Sequence, residues 1–181
     1  FYGIFSCFEI PRLRNKDKCN QIDFPFKCQQ LRRGDMKEAI FLSQTYVEDG
    51  FINEEEYIKF MMLFFNNILS VYDHICFKPH PRNNIELLNN IFSFDDKIEE
   101  VPLKYKGLPA EIFLASYEQE IDLFSFSSST LMYASSLMGI KSYQCLDALI
   151  DFSKNDKLIN YRLSVAEIFT NHSIEKWSIE K

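Results

Sequence analysis

The stretch AIFLSQTYVEDGFINEEEYIKFMMLFF, residues 39–65, decides the fold class. Residues 39–47 are apolar and suited to an extended strand. They lead into Glu48-Asp49-Gly50, and Asp-Gly is a common turn pair. Asn53 followed by Glu56 has the spacing of a capping box, and the acids between them fill the first turn of the helix it opens. From there to about Val71, Tyr57, Phe60, Met61, Phe64, Phe65 and Ile68 recur at helical spacing, as one buried face requires. The stretch is a β–α unit with two carboxylates in its turn.

The same alternation continues downstream. His74-Ile75-Cys76-Phe77 is a short apolar run with the character of a buried strand, and Asn84 can cap a helix through Phe92. Residues 98–101 suit a brief strand. Pro109 sits where the first turn of a helix favours it, and that helix is expected to run to about Tyr117. Residues 121–126 read as a strand and 130–138 as a helix closed by Gly139. Residues 140–145 form another strand candidate, and Ser164 with Glu167 can box the start of a last helix. Strands alternating with helices give an α/β fold, a Rossmann-like, mostly parallel sheet with helices on both faces. Ligands of such sheets bind in the crevice beyond the carboxyl ends of the strands.

Bulk properties narrow the functions. At 181 residues the chain can bury the core of one domain. No apolar run is long enough to span a bilayer; the longest, around residues 60–65, is broken by Asn66 and Asn67. A signal peptide is not expected, and the five cysteines (Cys7, Cys19, Cys28, Cys76, Cys145) are odd in number with no Cys-x-x-Cys pair. Reduced thiols and a cytoplasmic location, with or without peripheral contact to the inner membrane, are expected. The chain opens on Phe-Tyr-Gly without an initiator methionine, as a piece of a longer protein would.

Charge divides the chain. Residues 1–34 hold seven Lys/Arg and three Asp/Glu, a net of +4, whereas residues 35–181 hold thirteen and twenty-three, a net of −10. An acidic body argues against nucleic acid as a partner. The basic segment, residues 1–35, reads as a linker or the remnant of a preceding domain. It suits an anionic membrane surface, an acidic partner or plain solvent.

Three polar clusters follow three candidate strands and should share one rim: Glu48-Asp49-Gly50, Lys78-Pro79-His80-Pro81-Arg82, and Ser127-Ser128-Ser129-Thr130. Hydroxyls and N–H groups at a helix start suit a phosphate, although Ser and Thr are also the usual caps. Two prolines stiffen the backbone around His80 and turn its imidazole outward, while Lys78 and Arg82 add positive charge suited to a phosphoryl group. His80 can then donate a hydrogen bond or a proton to a phosphate leaving group. A stiff surface turn is the plainer reading of that loop. His74 reads as structural, His172 as solvated, the Phe60–Phe65 stripe as core, and Trp177 as packing on the body or a partner subunit.

The order Glu-Asp-Gly, His-Pro, Ser-Ser-(Ser)-Thr resembles the signature of bacterial sialyltransferases. With "LPAE" before "FSSSTL" it is most similar to glycosyltransferase family 52, which contains the lipooligosaccharide sialyltransferases. The resemblance runs from about Ile40 to Gly139. It implies the donor-binding half of a GT-B enzyme, residues 36–181, that transfers sialic acid from CMP-sialic acid to a galactose-type acceptor of a bacterial surface glycan. Inversion at the anomeric carbon without a metal or other cofactor is implied as well. Carried over by motif, Asp49 would be the base with Glu48 supporting it, and His80 would stabilise the departing phosphate. Ser128 and Ser129 would hold that phosphate, and Glu111 would meet the cytidine ribose.

Two departures qualify the resemblance. Three serines leave the pair at 127–128 or 128–129, and the chain is too short for both halves of a GT-B enzyme. A donor half alone would bind CMP-type ligands, transfer slowly or not at all, and expose a face through which it could pair as a homodimer. No Asp-x-Asp occurs; Asp95 and Asp96 are adjacent. The alternatives are a polysialyltransferase, a transferase of another nucleotide sugar, or a non-catalytic nucleotide-binding module.

Overall fold

A computed structural model describes residues 4–6, 19–21, 36–117, 120–169 and 174–179. Two short strands, β1 (Ile4–Ser6) and β2 (Cys19–Gln21), pair in parallel. The rest of the expected basic segment and His172 lie outside the described residues.

The body is a six-stranded sheet whose strands all run parallel: β3 (Glu38–Leu42), β4 (His74–Lys78), β5 (Ile98–Glu100), β6 (Ile121–Ser125), β7 (Lys141–Gln144) and β8 (Ile174–Lys176). Their spatial order is β5-β4-β3-β6-β7-β8. The chain builds outward from β3 through β4 to β5, then returns across β3 and builds outward the other way. This is the doubly wound Rossmann-like order, and its switch point falls between β3 and β6.

Alternation along the strands sends side chains to two cores. Ala39 and Phe41 of β3, with Ile75, Phe77 and Phe124, pack under α1 (Glu54–Leu69), α2 (Ile85–Phe92) and α6 (Leu146–Ser153). Ile40 and Leu42, with Cys76, Ile121 and Leu123, pack under α4 (Ala110–Ala115) and α5 (Thr130–Met138). The first core is aromatic. Phe41 alone has the rings of Phe64, Phe65, Phe77 and Phe126 with centroids 5.3–5.6 Å away, within the range of favourable edge and offset contacts.

Local chemistry starts and stops these helices. Asn53 accepts the Glu56 N–H at 2.9 Å, and its amide donates to the Glu56 carboxylate at 3.1 Å. Asn53→Ala is expected to destabilise the fold by about 1 kcal/mol, measurable by urea denaturation. Asn84 caps α2 by accepting the Glu86 N–H, and Gly139 ends α5 with φ of +69°, the left-handed conformation that glycine adopts without penalty.

Five elements differ from the sequence reading. Strand β3 stops at Leu42 and does not reach residue 47, because residues 46–50 wind into one helical turn. The last long helix, α7 (Asp156–Phe169), starts well before Ser164; Asn155 caps it by accepting the Lys157 N–H. Ser164 sits mid-helix and donates back to the Tyr161 carbonyl. Two helices, α6 and the four-residue α3 (Leu103–Lys106), and the edge strand β8 had no clear local signal. Trp177, just after β8, packs on the body: its rings meet Phe124 and Tyr143, and its indole N–H donates to Asn67.

Candidate active site

Because β4, β3 and β6 are parallel neighbours, the loops that follow them share the carboxyl edge of the sheet. The three polar clusters are brought together there, as the pattern of strands required. A cleft of about 330 Å³ opens at this edge, lined by Ser43 and Gln44 after β3, Lys78 to Pro81 after β4, Gly107 to Ala110, and Ser128 and Thr130. That is the small end of the range for small-molecule sites, about 300–1,000 Å³.

The acidic turn is a helical turn with a glycine stop. Asp49 N–H bonds to the Thr45 carbonyl, Gly50 N–H to Val47, and Phe51 N–H to Tyr46. The last two are the paired bonds of a Schellman closure, and they place Gly50 at φ +69°. Glu48 and Asp49 therefore sit at the carbonyl end of this turn, where negative charge is disfavoured. Each carboxylate is met from outside. Glu48 Oε1 accepts the Asn84 N–H at 2.7 Å and the Asn83 amide at 3.2 Å. Asp49 accepts Thr45 Oγ1 at 2.5 Å and both terminal nitrogens of Arg82 at 3.0 and 3.2 Å. The Thr45 hydroxyl, then the Arg82 guanidinium, hold the Asp49 carboxyl below the usual aspartate range.

The His-Pro loop is a β-turn. Asn83 N–H bonds to the His80 carbonyl, Pro81 occupies the position that fixed φ favours, and the Asn83 side chain accepts the His80 N–H at 2.8 Å. Arg82 N–H donates to His80 Nδ1 at 3.2 Å. An accepting Nδ1 assigns the proton of the neutral ring to Nε2, so His80 offers one N–H donor in the wall of the cleft.

Lys78 is buried, and its ammonium donates to the Tyr105 and Lys106 carbonyls at 2.9 and 3.4 Å. Burial pulls its pKa down from the ordinary lysine value. It lines the cleft while tying β4 to α3. Glu111, at the start of α4, accepts the Thr130 hydroxyl at 2.8 Å and so joins the two helices flanking the cleft.

The three serines differ in their contacts. Ser128 lines the cleft and its Oγ accepts the Thr130 N–H at 3.3 Å. Ser127 Oγ is engaged by the hydroxyls of Tyr46 at 2.7 Å and Tyr161 at 2.9 Å. Ser129 occupies the cap position of α5 without a side-chain cap bond. Of the expected site residues, Glu48, Asp49, Arg82, Glu111, Ser127 and Ser129 are thus outside the cleft lining.

Several participants went unnoticed in the sequence. Thr45 stands four residues before Asp49, a helical spacing that could have revealed it. Asn83 holds the turn carrying His80 to Gln44 through the Gln44 carbonyl at 3.2 Å. Helix α7 buttresses the acidic turn: Asn155 donates to the Phe51 carbonyl, Lys157 to the Gly50 carbonyl, and Tyr161 reaches Ser127. Burial pushes the thiols of Cys76 (to about 11) and Cys145 upward, so neither is a nucleophile near neutral pH. Among the described residues no three His, Cys, Asp or Glu side chains gather as metal ligands, and no helix is long and apolar enough to cross a membrane.

A parallel sheet of this order with a polar cleft at its switch point defines a Rossmann-like protein. Over residues 16–147, a span that contains all three clusters and Glu111, the chain matches the family model described as Alpha-2,8-polysialyltransferase (POLYST), and it belongs to that family. Comparison with curated proteins returned no match. The sialyltransferase resemblance of the motifs is borne out at this level.

Proposed function

We propose that this chain binds CMP-sialic acid in the cleft at the β3/β6 switch point and transfers the sialyl group to a glycan hydroxyl with inversion and without a metal. The observation that carries the reading is the convergence of His80, Ser128 and the start of α5 on one cleft. In this reading the bond from the anomeric carbon to the phosphate oxygen breaks as the acceptor oxygen attacks from the opposite face. The departing CMP phosphate is met by His80, Ser128 and the N-terminal dipole of α5, with the buried Lys78 charge behind them. Glu111, which stands just outside the cleft lining and accepts the Thr130 hydroxyl, is assigned to the ribose. The acceptor proton passes to Asp49, which stands beside the cleft and is supported by Glu48 through the His80 loop.

Between a galactose-terminated lipooligosaccharide and a growing sialic acid chain as acceptor, the family match favours the second. Titration with CMP, UMP and GMP tests the donor class: CMP is expected to bind selectively. Ser128→Ala is expected to weaken CMP about tenfold while leaving cytidine affinity nearly unchanged, because only CMP carries the phosphate. A preference for UMP, or equal losses for CMP and cytidine, would sink the assignment of this cleft.

A further inference from the structure

Arg82 lies outside the cleft and its side chain is 62% exposed, yet its guanidinium is fully oriented. Nη1 and Nη2 reach the two oxygens of Asp49 at 3.0 and 3.2 Å, and Nη2 also donates to Thr45 Oγ1 at 3.0 Å. This fork-to-fork geometry is the one by which arginine recognises carboxylates. A bidentate surface pair can contribute to folding, and it also holds the guanidinium in one orientation at the rim. The pairing also works against Asp49 as a base, since its lone pairs already accept three donors. Meanwhile the chain has a net charge of −6. A negatively charged sugar therefore needs a local positive site, and Arg82 stands at the rim beside His80.

We propose that Arg82 determines specificity for an anionic sugar: it exchanges the Asp49 carboxylate for the carboxylate of a sialic acid unit, and the exchange frees Asp49 to take the acceptor's hydroxyl proton. The inference rests on the sialyl-transfer reading and adds a substrate-coupled release of the base. Besides Arg82, the charged or titratable groups around the acidic turn are His80 from the loop after β4, Glu48 beside Asp49, and Lys157 of α7 on the Gly50 carbonyl.

The test compares an α2,8-linked sialic acid trimer with its carboxyl methyl ester, and CMP-sialic acid with CMP, on the wild-type chain and on Arg82→Gln. The acid trimer is expected to bind about tenfold tighter than the ester, and Arg82→Gln to remove that difference while leaving CMP affinity unchanged. If the loss falls on CMP-sialic acid instead, the donor's carboxylate is the one recognised. Saturation with the carboxylate ligand should also raise the Asp49 titration, followed by carboxyl carbon NMR, toward the ordinary aspartate range. The proposal is overturned if acid and ester bind alike and Arg82→Gln leaves CMP-sialic acid affinity unchanged, or if Asp49 titrates as before with ligand bound. Failure of CMP to bind, with an Arg82-dependent trimer site intact, would count against the donor reading alone.

Discussion

Asp49→Asn is expected to slow sialyl transfer by about 10²–10⁴-fold, the range spanned by positioned general bases. The amide is nearly the shape of the carboxylate and keeps an oxygen that can accept from Thr45 or Arg82, so the turn should persist. What it loses is the ability to hold a proton. CMP affinity should change little, because Asp49 is not in the cleft lining. The pH dependence carries a sign. With its carboxyl held below the ordinary aspartate range, Asp49 is ionised throughout neutral pH, and any loss of rate from its protonation falls on the acid side. The same depressed value means that the contacts of Asp49 with Thr45, then with Arg82, favour the folded chain above the ordinary aspartate pKa. That contribution is lost as pH falls through the folded-state value. An aspartate that served only the turn would give the opposite result, near-normal turnover with a slight loss of stability. In that case Gly50, at φ +69°, would be the reason for the motif.

The parts of this structure that were legible in the sequence are those governed by local chemistry. Asn53, Asn84 and Gly139 mark helix ends because a side-chain oxygen or a left-handed backbone satisfies groups within six residues. The shared rim was legible too, since parallel strands put their following loops on one edge. Longer-range contacts were not legible. Strand β8 is three residues, two of them charged, and is placed by the Trp177 N–H on the Gln144 carbonyl and by aromatic docking far along the chain. Helix α6 opens on Cys145 with no capping bond, so nothing in the sequence announces it. Ser164 and Glu167 have the spacing of a capping box, but the helix is already running from Asn155. At the site, residue types indicated anion chemistry while partners decided direction. Arg82 is claimed by Asp49 and Ser127 by two tyrosines, pairings 33 to 81 residues apart that no local pattern encodes.

His80→Ala is the second large effect, expected to lower the rate of transfer by about 10²–10³-fold, as loss of one oriented donor to developing charge does. The imidazole is held at Nδ1 by the Arg82 N–H, and its backbone is held by Asn83. Its remaining donor, Nε2–H, therefore needs little reorganisation when negative charge grows on the leaving phosphate. Ground-state binding should suffer less than the rate, because the phosphate of CMP-sialic acid carries less charge than that of departing CMP. His80→Gln should fall between wild type and His80→Ala, since its amide can present an N–H from a similar distance. Nitrogen NMR of the free chain should show Nδ1 as the unprotonated nitrogen and Nε2 as the protonated one in the neutral ring. An Nδ1-protonated ring, or equal losses in CMP binding and in turnover for His80→Ala, would remove His80 from the leaving-group role and leave it as a support of the turn.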